Sequence, residues 1–599
     1  MELAGRDMHR IIAAFGALAL ALAALALAPW AMAQGAEATA DAQFKAIYTE
    51  EWAWREAQFA GEDGDDLTRP VPDHLPTVDA ASQAARLAYW TGVARRLAGL
   101  SAASLSPQAR IDYAIYRAQI DVLIADQRFA DYEKPANADS SFWSDLGATA
   151  RRPFRTADDY RRYISWLNQF PRYFAEQIVN MRAGLKRGFT PPKVTLTGRD
   201  ASITAITQAP SIEANLFYTP FKTMPPGIPA DQQAALRAQG AKAIAQSVIP
   251  AHAALLGFMR DEYMPGARDS LAADDLPDGP AYYQAKIKEF TTLDLAPAAI
   301  HQIGLAEVAK IHAQMLETMK ESGFTGDFPA FLHFLRTDPQ FYAKTPDELL
   351  WRAAWIAKAF DGKAGQYFGY LPRGRFGIRP VPADMAPFYT SGRGGPGIYL
   401  VNTYDLPSRP LYNLTALTLH ESAPGHAFQM AIALEHKGQP AFRQKVYISA
   451  FGEGWAVYCE KLGLEMGLYK TPYDRFGMLT YQMWRAARLV VDTGIHSQGW
   501  TREEAQRYLH DNTALSDHEI ETEVDRYISW PAQALSYYLG EMAFENGRAK
   551  AEKALGPKFN LRAFHDTVLE MGSVPLPILT DRIDAFIADG GKGPYPDLE

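Results

Sequence analysis

Cysteine is nearly absent from the sequence, which holds a single one, Cys459, among 599 residues. One cysteine cannot form a disulfide within the chain, so the fold must be stabilised by its hydrophobic core. A chain of this length with 48% hydrophobic residues can supply such a core. A nucleophilic role for Cys459 would need a neighbouring base, and its position inside an apparent helix favours a packed side chain instead.

An excess of positive charge is also absent, with 60 Lys and Arg against 69 Asp and Glu. The formal net charge is −9, and no block of basic residues interrupts the chain. Proteins that bind nucleic acids do so through basic surfaces, so this composition argues against a nucleic-acid partner.

Long apolar runs are confined to the N-terminus. Residues 8–35 have a basic start, an apolar stretch and a final Ala-Met-Ala. This pattern is typical of a secretory signal, cleaved between Ala33 and Gln34, and predicts a periplasmic or secreted protein. A membrane anchor is the alternative, but the apolar run is short for a bilayer span. No cysteine lies near the cleavage position, so we expect no lipid attachment, and no later segment looks able to span a membrane.

Most of the remaining chain shows helical periodicity, and its length predicts at least two lobes. We assign residues 34–365 to a mostly helical N-terminal region and residues 366–599 to the region that carries the chemistry. Residues 156–187 and 296–322 have the apolar spacing of long amphipathic helices. Pro171 is expected to kink or divide the first of them.

Several helix starts can be located from their capping residues. Thr345 precedes a proline and two acidic residues, the usual order at a helix N-terminus. Thr501 with Glu504, and Ser516 with Glu519, have the spacing of capping boxes.

One segment, residues 366–410, breaks the helical pattern because it is rich in Gly, Pro, Arg and aromatic residues. Within it, residues 376–382 and 397–403 read as short strands between turns. The glycine-rich string at 392–397 lacks a following Lys-Ser or Lys-Thr, so it is not a phosphate-binding loop. The sequence therefore predicts a mainly α-helical protein with one small sheet just before the next motif.

That motif is His-Glu-Ser-Ala-Pro-Gly-His, which begins like the zinc-protease pattern H-E-x-x-H. Its second histidine, His426, comes six residues after His420 rather than four. In a straight helix two such residues would lie about 240° apart and could not bind one metal ion. Pro424 disfavours a continuous helix, and Gly425 permits unusual backbone angles. We therefore expect an interruption that returns His426 to the face of His420.

A third ligand is expected downstream, in residues 450–463. Glu453 and Glu460 are seven residues apart, and so lie on one helix face among large apolar side chains. A buried carboxylate needs a metal or a partner, although either residue could instead be solvated. We predict that one Zn²⁺ is held by two histidines and Glu453, with Glu460 orienting a histidine. Glu421 would then act as the base that deprotonates the zinc-bound water.

Five stretches together resemble the bacterial family known as domain of unknown function 885. They are HESAPGHAFQ (420–429), EGWAVYCEKLG (453–463), RLVVDTGIHSQGW (488–500), EVDRYISWPAQALSYYLG (523–540) and the run 398–421. The family is grouped with the gluzincin metallopeptidases, near the thimet-oligopeptidase and carboxypeptidase-Taq types. The resemblance implies zinc held by His420, His426 and Glu453, with Glu421 as the base. It also implies a helical, clamshell-like fold in which residues 34–365 form one side of a cleft. Pro424 departs from the wider gluzincin pattern, but the family shares that departure.

Candidates for stabilising a reaction oxyanion follow the metal motif. His496 and Tyr537 can each donate a hydrogen bond, and Tyr538 is an alternative to Tyr537; each could equally be a packed core residue. Arg526 and Gln533 lie in the same block and could hold substrate carbonyls or a terminal carboxylate.

The strand at 397–403 also has two readings. In gluzincins an edge strand beside the metal helix pairs with the peptide backbone, which would allow sequence-tolerant binding. The alternative is an ordinary buried strand.

The function predicted first is a secreted zinc metallopeptidase that cleaves oligopeptides, in either endopeptidase or carboxypeptidase mode. A second hypothesis is a zinc hydrolase acting on a small non-peptide amide or ester. A third is a non-catalytic periplasmic binding protein whose histidines are inert, and it predicts no tightly bound metal.

Overall fold

The computed structural model describes residues 39–59, 69–138, 140–383 and 385–598. The predicted signal sequence, residues 1–33, lies outside these ranges. Across the described ranges, no helix combines the length and apolar character needed to cross a bilayer.

The chain is mainly helical, as the sequence predicts. The helices of eight or more residues in the first half are α1 (39–58), α2 (Ala80–Ala98), α3 (Pro107–Phe129), α4 (Ala157–Leu167), α5 (Phe170–Arg187), α6 (Ala230–Ala243), α7 (Ile249–Phe258), α8 (Gly279–Thr291), α9 (Pro297–Glu321), α10 (Phe328–Thr337) and α11 (Pro346–Asp361). Those in the second half are α12 (Leu411–Glu421), α13 (His426–Glu435), α14 (Ser449–Glu465), α15 (Pro472–Gln498), α16 (Arg502–Asn512), α17 (Asp517–Ser529), α18 (Ser536–Leu555), α19 (Leu561–Leu569) and α20 (Leu576–Ala588).

A small sheet lies between α11 and α12 in the chain. Its strands are β1 (Gly377–Pro380), β2 (Gly392–Gly395) and β3 (Ile398–Val401), in the spatial order β1-β3-β2. β3 pairs in parallel with β1 and antiparallel with β2. Apolar residues of β3, α11 and α12 form a cluster that seats the sheet on the helices. The two predicted strands are confirmed as β1 and β3, whereas β2 falls in the glycine-rich string.

Contacts between residues divide the chain into two compact units. The smaller takes in the described part of Met1–Ala57 together with Ala85–Ile124. In it the buried carboxylate of Glu51 accepts hydrogen bonds from Trp90 and Tyr116, at 2.9 and 2.8 Å. The larger unit holds the rest, including the sheet and all of the predicted metal ligands. The predicted division at residues 365 and 366 stays a prediction.

The capping residues explain where several helices begin. The side chains of Thr345 and Thr501 each accept a hydrogen bond from the first turn of their helix, and Thr501 forms the full capping box with Glu504. Ser516 caps α17, but the box is not completed there, because the carboxylate of Glu519 accepts from Ser391 instead. The expected break at Pro171 is confirmed, since α5 begins there.

Helices α14 and α18 cross at two glycines with their backbones in direct contact. A β-carbon on Gly454 would lie 2.3 Å from the carbonyl carbon of Gly540. A β-carbon on Gly540 would lie 2.0 Å from the carbonyl oxygen of Ala450. No side chain larger than hydrogen fits at this crossing. It lies one residue after Glu453 and three residues after Tyr537.

Candidate metal centre

The helix is interrupted where the sequence predicts. α12 ends at Glu421 and α13 begins at His426, with a cis peptide bond between Ala423 and Pro424. The indole of Trp455, on α14, donates a hydrogen bond of 2.8 Å to the carbonyl oxygen of Pro424. This contact fixes the connecting loop to the helix that carries Glu453.

Gly425 adopts the unusual backbone angles that the sequence predicts, and a glycine is needed there for a second reason as well. Its φ of −73° and ψ of −133° are not left-handed, but the pair lies outside the α and β regions. A β-carbon at this position would also lie 1.9 Å from the carbonyl oxygen of His420. Its N–H donates to the carbonyl of Leu419 at 3.0 Å. The glycine therefore lets α13 start directly against the last turn of α12.

The two histidines face each other across this junction. Their ring centroids are 4.8 Å apart and the rings are perpendicular. The Nε2 atoms of His420 and His426 lie 3.5 and 3.2 Å from the same carboxylate oxygen, Oε2 of Glu453. The two rings are buried, and 13% of the Glu453 side chain is exposed. Residues from α12, α13 and α14 thus converge on one small volume, as the spacing argument predicts.

Glu460 lies about two helical turns beyond Glu453 and contacts the other side of His420. Its Oε1 is 2.8 Å from Nδ1 of His420, and it is fully buried. Because a carboxylate accepts, Nδ1 donates its proton to Glu460, and Nε2 is the ring nitrogen that faces Glu453. The guanidinium of Arg485 lies 3.6 Å from the same carboxylate oxygen. Nδ1 of His426, by contrast, is buried without a hydrogen-bond partner among the described residues.

The charges of this cluster are strongly coupled. Burial by itself lowers the pKa of His420, but its hydrogen bonds with Glu453 and Glu460 outweigh burial and raise the pKa to about 10. Burial raises the pKa of Glu453, yet the two histidines hold it well below the usual value for a carboxyl. The carboxylates therefore favour a positive charge on His420, and the histidines favour the ionised form of Glu453.

Glu421, the predicted base, lies at the end of α12 beside the sheet. One ligand atom each from His420, Glu421 and His426 lie within 4.8 Å of one another. The Oε2 of Glu421 accepts a hydrogen bond of 2.6 Å from the backbone N–H of Gly394, in β2. A β-carbon on Gly394 would be 1.8 Å from the carbonyl oxygen of Glu421. β2 is thus held against the end of α12.

This position of β2 corrects the expected role of residues 397–403. β3, which they contain, is the central strand and is paired on both sides, so it has no free edge for a peptide. The strand next to the histidines is β2. Sequence reasoning missed it because three of its four residues are glycines, which are poor strand formers.

Tyr537 lies beside the histidines, together with two other predicted residues. Its ring is nearly parallel to that of His420, at 6.4 Å between centroids. Its hydroxyl oxygen accepts from Arg526 at 3.2 Å and from Gln533 at 3.5 Å. The face of its ring is covered by the guanidinium of Arg488, 4.2 Å from the centroid. With the oxygen accepting twice, the hydroxyl proton is left to be donated.

His496 and Tyr538 do not join the cluster, which corrects two of the candidate roles. Nδ1 of His496 accepts the backbone N–H of Ala273, and its Nε2 donates to the carbonyl of Tyr527. Both ring nitrogens are occupied and the residue is fully buried, so it has no donor to offer a substrate. The hydroxyl of Tyr538 donates to Glu307, on α9, at 2.7 Å. Cys459 is buried, as expected.

Tyr447 belongs to the cluster and was not predicted. Its hydroxyl donates to Oε1 of Glu453 at 3.1 Å, and its ring lies 6.4 Å from that of His426. It sits in the loop before α14, six residues upstream of Glu453, where no periodicity or motif marks it. A hydrogen-bond donor to the second oxygen of Glu453 could have been expected, but the sequence does not indicate which of its 29 tyrosines would supply it.

The fold is shared with solved bacterial structures. The chain is similar to the crystal structure of a candidate lipoprotein from Colwellia psychrerythraea, with a TM-score of 0.83 and 26% identity, over 92% of this chain and 99% of that one. It also resembles a candidate lipoprotein of unknown function from Shewanella oneidensis, with a TM-score of 0.64 and 18% identity, over 90% and 98% of the two chains. Among curated proteins there is no significant match. Residues 56–583 match the family described as "Bacterial protein of unknown function (DUF885)", and the chain belongs to that family.

Proposed function

We propose that the protein is a zinc-dependent metallopeptidase that cleaves oligopeptides outside the cytoplasm. The observation that carries this proposal is the approach of two imidazole Nε2 atoms, from His420 and His426, to one oxygen of Glu453. Two imidazoles and a carboxylate are the ligands of many catalytic zinc sites.

The residues present fit a zinc ion by their chemistry. His420 has its Nδ1 proton held by Glu460, which leaves Nε2 free to bind a metal. Glu453 supplies an oxygen to the same space from a different helix. Three ligands from the protein leave a coordination position for substrate or water, as catalytic zinc sites require. Bound zinc would polarise the scissile carbonyl and acidify water in the site.

Glu421 is the residue we assign to proton transfer. It is adjacent in sequence to His420, and its carboxylate is oriented by the backbone N–H of Gly394. One of its oxygens is thereby fixed, and the other can take a proton from the attacking water and pass it to the leaving amine.

Tyr537 is the residue we assign to the developing oxyanion. Arg526 and Gln533 both donate to its oxygen, so its own proton is available to a negatively charged oxygen in the site. Its ring lies beside His420, on the same side of the cluster. No such donor is available from His496.

β2 is the element we assign to the substrate backbone. The N–H of Gly394 donates to Glu421, so the outer edge of β2 lies at the end of α12. An extended peptide could pair along the part of this edge that Glu421 does not occupy, with little regard for its side chains. The helical, cleft-forming gluzincin architecture implied by the sequence resemblance belongs to the same proposal, and so does the division of the chain into two sides of a cleft.

The location we propose rests on two features. The N-terminal sequence has the pattern of a secretory signal. The similar structures from Colwellia psychrerythraea and Shewanella oneidensis are described as candidate lipoproteins, which implies a place outside the cytoplasm for those proteins.

The test is to measure bound zinc and peptide turnover in three purified forms: the wild type, His420→Ala and Glu421→Gln. We expect about one zinc per chain in the wild type and its loss in His420→Ala. Glu421→Gln should keep the zinc and lose turnover by about 10²–10⁴-fold, the usual share of an acid–base residue. Equal and negligible zinc content in the wild type and His420→Ala would contradict the proposal. Zinc without cleavage of any peptide in a library, together with cleavage of small esters or amides, would identify the non-peptide hydrolase instead.

A further inference from the structure

The two oxygens of Glu453 have different surroundings. Oε2 lies 3.5 and 3.2 Å from the Nε2 atoms of His420 and His426. Oε1 accepts a hydrogen bond of 3.1 Å from the hydroxyl of Tyr447. A carboxylate can bind a metal through one oxygen or through both. Here the second oxygen already has a donor.

The ring of Tyr447 is held in position by the helix that carries Glu453. A β-carbon on Gly452 would lie 2.3–2.4 Å from three atoms of that side chain, including the hydroxyl oxygen. The side chain therefore packs on the glycine one residue before the carboxylate. The centroid of its ring lies 6.4 Å from that of His426. This packing holds the hydroxyl at Oε1.

Tyr447 lies on the side of the cluster that is exposed to solvent. It is 43% exposed, whereas His420 is 2% exposed and His426 is 6% exposed. The exposed part of this residue is not its hydroxyl, which packs on Gly452 and donates to Glu453. The hydroxyl is thus directed into the cluster and points to a role at the site.

We propose that Tyr447 is a positioning residue that restricts Glu453 to binding the metal through Oε2 alone. The inference rests on the proposed zinc site and adds a residue that neither the motif nor the spacing of the ligands contains. With one oxygen withheld, the ion keeps a coordination position for water or substrate that a two-oxygen carboxylate would fill. Outer hydrogen bonds of this kind commonly change metal affinity by about 10–100-fold.

The test uses Tyr447→Phe, which keeps the ring and removes only the hydroxyl. Two quantities are measured: the dissociation constant for zinc, by competition with a chromophoric chelator, and the visible absorption spectrum of the cobalt(II)-substituted protein. We expect the dissociation constant to change by about tenfold or more. We also expect the cobalt absorption to weaken, because it loses intensity as the coordination number rises above four. Tyr404→Phe, at another exposed tyrosine (48%), is the matched control and should change neither quantity.

Gly452→Ala provides a second, independent route. The added methyl group collides with the ring of Tyr447, so it should displace the hydroxyl without removing it. It should reproduce the cobalt spectrum of Tyr447→Phe, and the double variant should add nothing to either single one. If Tyr447→Phe fails to fold, Gly452→Ala still decides the matter through the same spectrum.

The outcomes separate this inference from the function it rests on. A wild type that binds no zinc would remove the proposed function and this inference with it. A wild type that binds zinc tightly, with an unchanged cobalt spectrum in Tyr447→Phe and Gly452→Ala, would overturn only the role of Tyr447. Weaker cobalt absorption in both Tyr447→Phe and Gly452→Ala, together with an unchanged spectrum in Tyr404→Phe, would support the role of Tyr447.

Discussion

Gly425 and His420 touch through their backbones: a β-carbon on the glycine would stand 1.9 Å from the carbonyl oxygen of the histidine. This contact brings the first turn of α13 against the last turn of α12. It compensates for the two extra residues that separate the histidines, and it allows both rings to face Glu453.

Gly425→Ala should therefore disrupt the arrangement of the two histidines without replacing any of the proposed ligands. The added methyl group meets backbone oxygens that cannot rotate away, so we expect a loss of stability of at least about 1–3 kcal/mol and a large loss of bound zinc. Calorimetry and metal analysis would measure the two effects. Gly365→Ala, where a β-carbon meets nothing within 4 Å, is the control and should leave both unchanged. Normal zinc content in Gly425→Ala would contradict the role of the contact.

Glu460→Gln should weaken zinc binding while leaving the ligands in place. The neutral amide oxygen still accepts from Nδ1 of His420 but more weakly than a carboxylate, so the ring is held less firmly and its Nε2 becomes less basic. We expect the dissociation constant for zinc to rise by about 10–100-fold. Glu465→Gln removes a carboxylate at the exposed end of the same helix and should have no effect on zinc. Equal affinities of the two variants would show that Glu460 does not support His420.

Gly394→Ala should separate catalysis from metal binding. Its β-carbon would lie 1.8 Å from the carbonyl oxygen of Glu421, so β2 must move away and release the carboxylate that its N–H holds. We expect zinc content to be kept and kcat to fall by about 10²-fold. The neighbouring Gly395→Ala, where nothing lies within 4 Å, should behave as the wild type. Identical kcat in the two variants would argue against an oriented Glu421.

Tyr537→Phe should lower kcat by about 10²–10³-fold, the usual effect of removing one oxyanion donor. Zinc content and KM should change little, because the hydroxyl is expected to act on the transition state. Tyr538→Phe is a close comparison, since its hydroxyl serves Glu307 and not the histidines. A larger fall in kcat for Tyr538→Phe than for Tyr537→Phe would reverse the assignment made here.

His496 predicts a dependence of stability on pH rather than of catalysis. Burial lowers its pKa to about 3 in the folded protein, below the ordinary value of 6.5. The folded state therefore binds fewer protons than the unfolded state between these values, and stability is lost as the pH falls from about 6.5 to 3. His496→Gln should flatten the slope of the unfolding free energy in this range by up to about 1.4 kcal/mol per pH unit. Urea unfolding at several pH values would measure it.

Other histidines also bear on that measurement. His565 is also fully buried, with its pKa lowered to about 3, so part of the slope should remain in His496→Gln. His333 is exposed, and His333→Gln is the control that should leave the slope unchanged. An unaltered slope in His496→Gln would mean that this ring is not held neutral in the fold.

The sequence predicts the mainly helical fold and the shared helix face of Glu453 and Glu460, because these depend on local spacing. That this face meets His420 and His426 is expected because a buried carboxylate needs a metal or a partner. The sequence also locates the interruption, since Pro424 disfavours a continuous helix. It does not predict the contact between the backbones of Gly425 and His420.

The remaining errors have a common physical origin. Whether a polar residue faces the site or the core depends on its neighbours from other parts of the chain. His496 is satisfied by Ala273 and Tyr527, and Tyr538 by Glu307, and these pairings are invisible in a local pattern. Tyr447 was missed for the same reason, because its partner and the glycine it packs on define its role.

The glycine crossing of α14 and α18 makes the spacing between Glu453 and Tyr537 a property of the main chain. Where Gly454 and Gly540 meet, no side chain stands between the helices that could be exchanged for a larger or smaller one. A substitution elsewhere in the core can change the gap between Glu453 and Tyr537 only by shifting a whole helix, because the two main chains already touch.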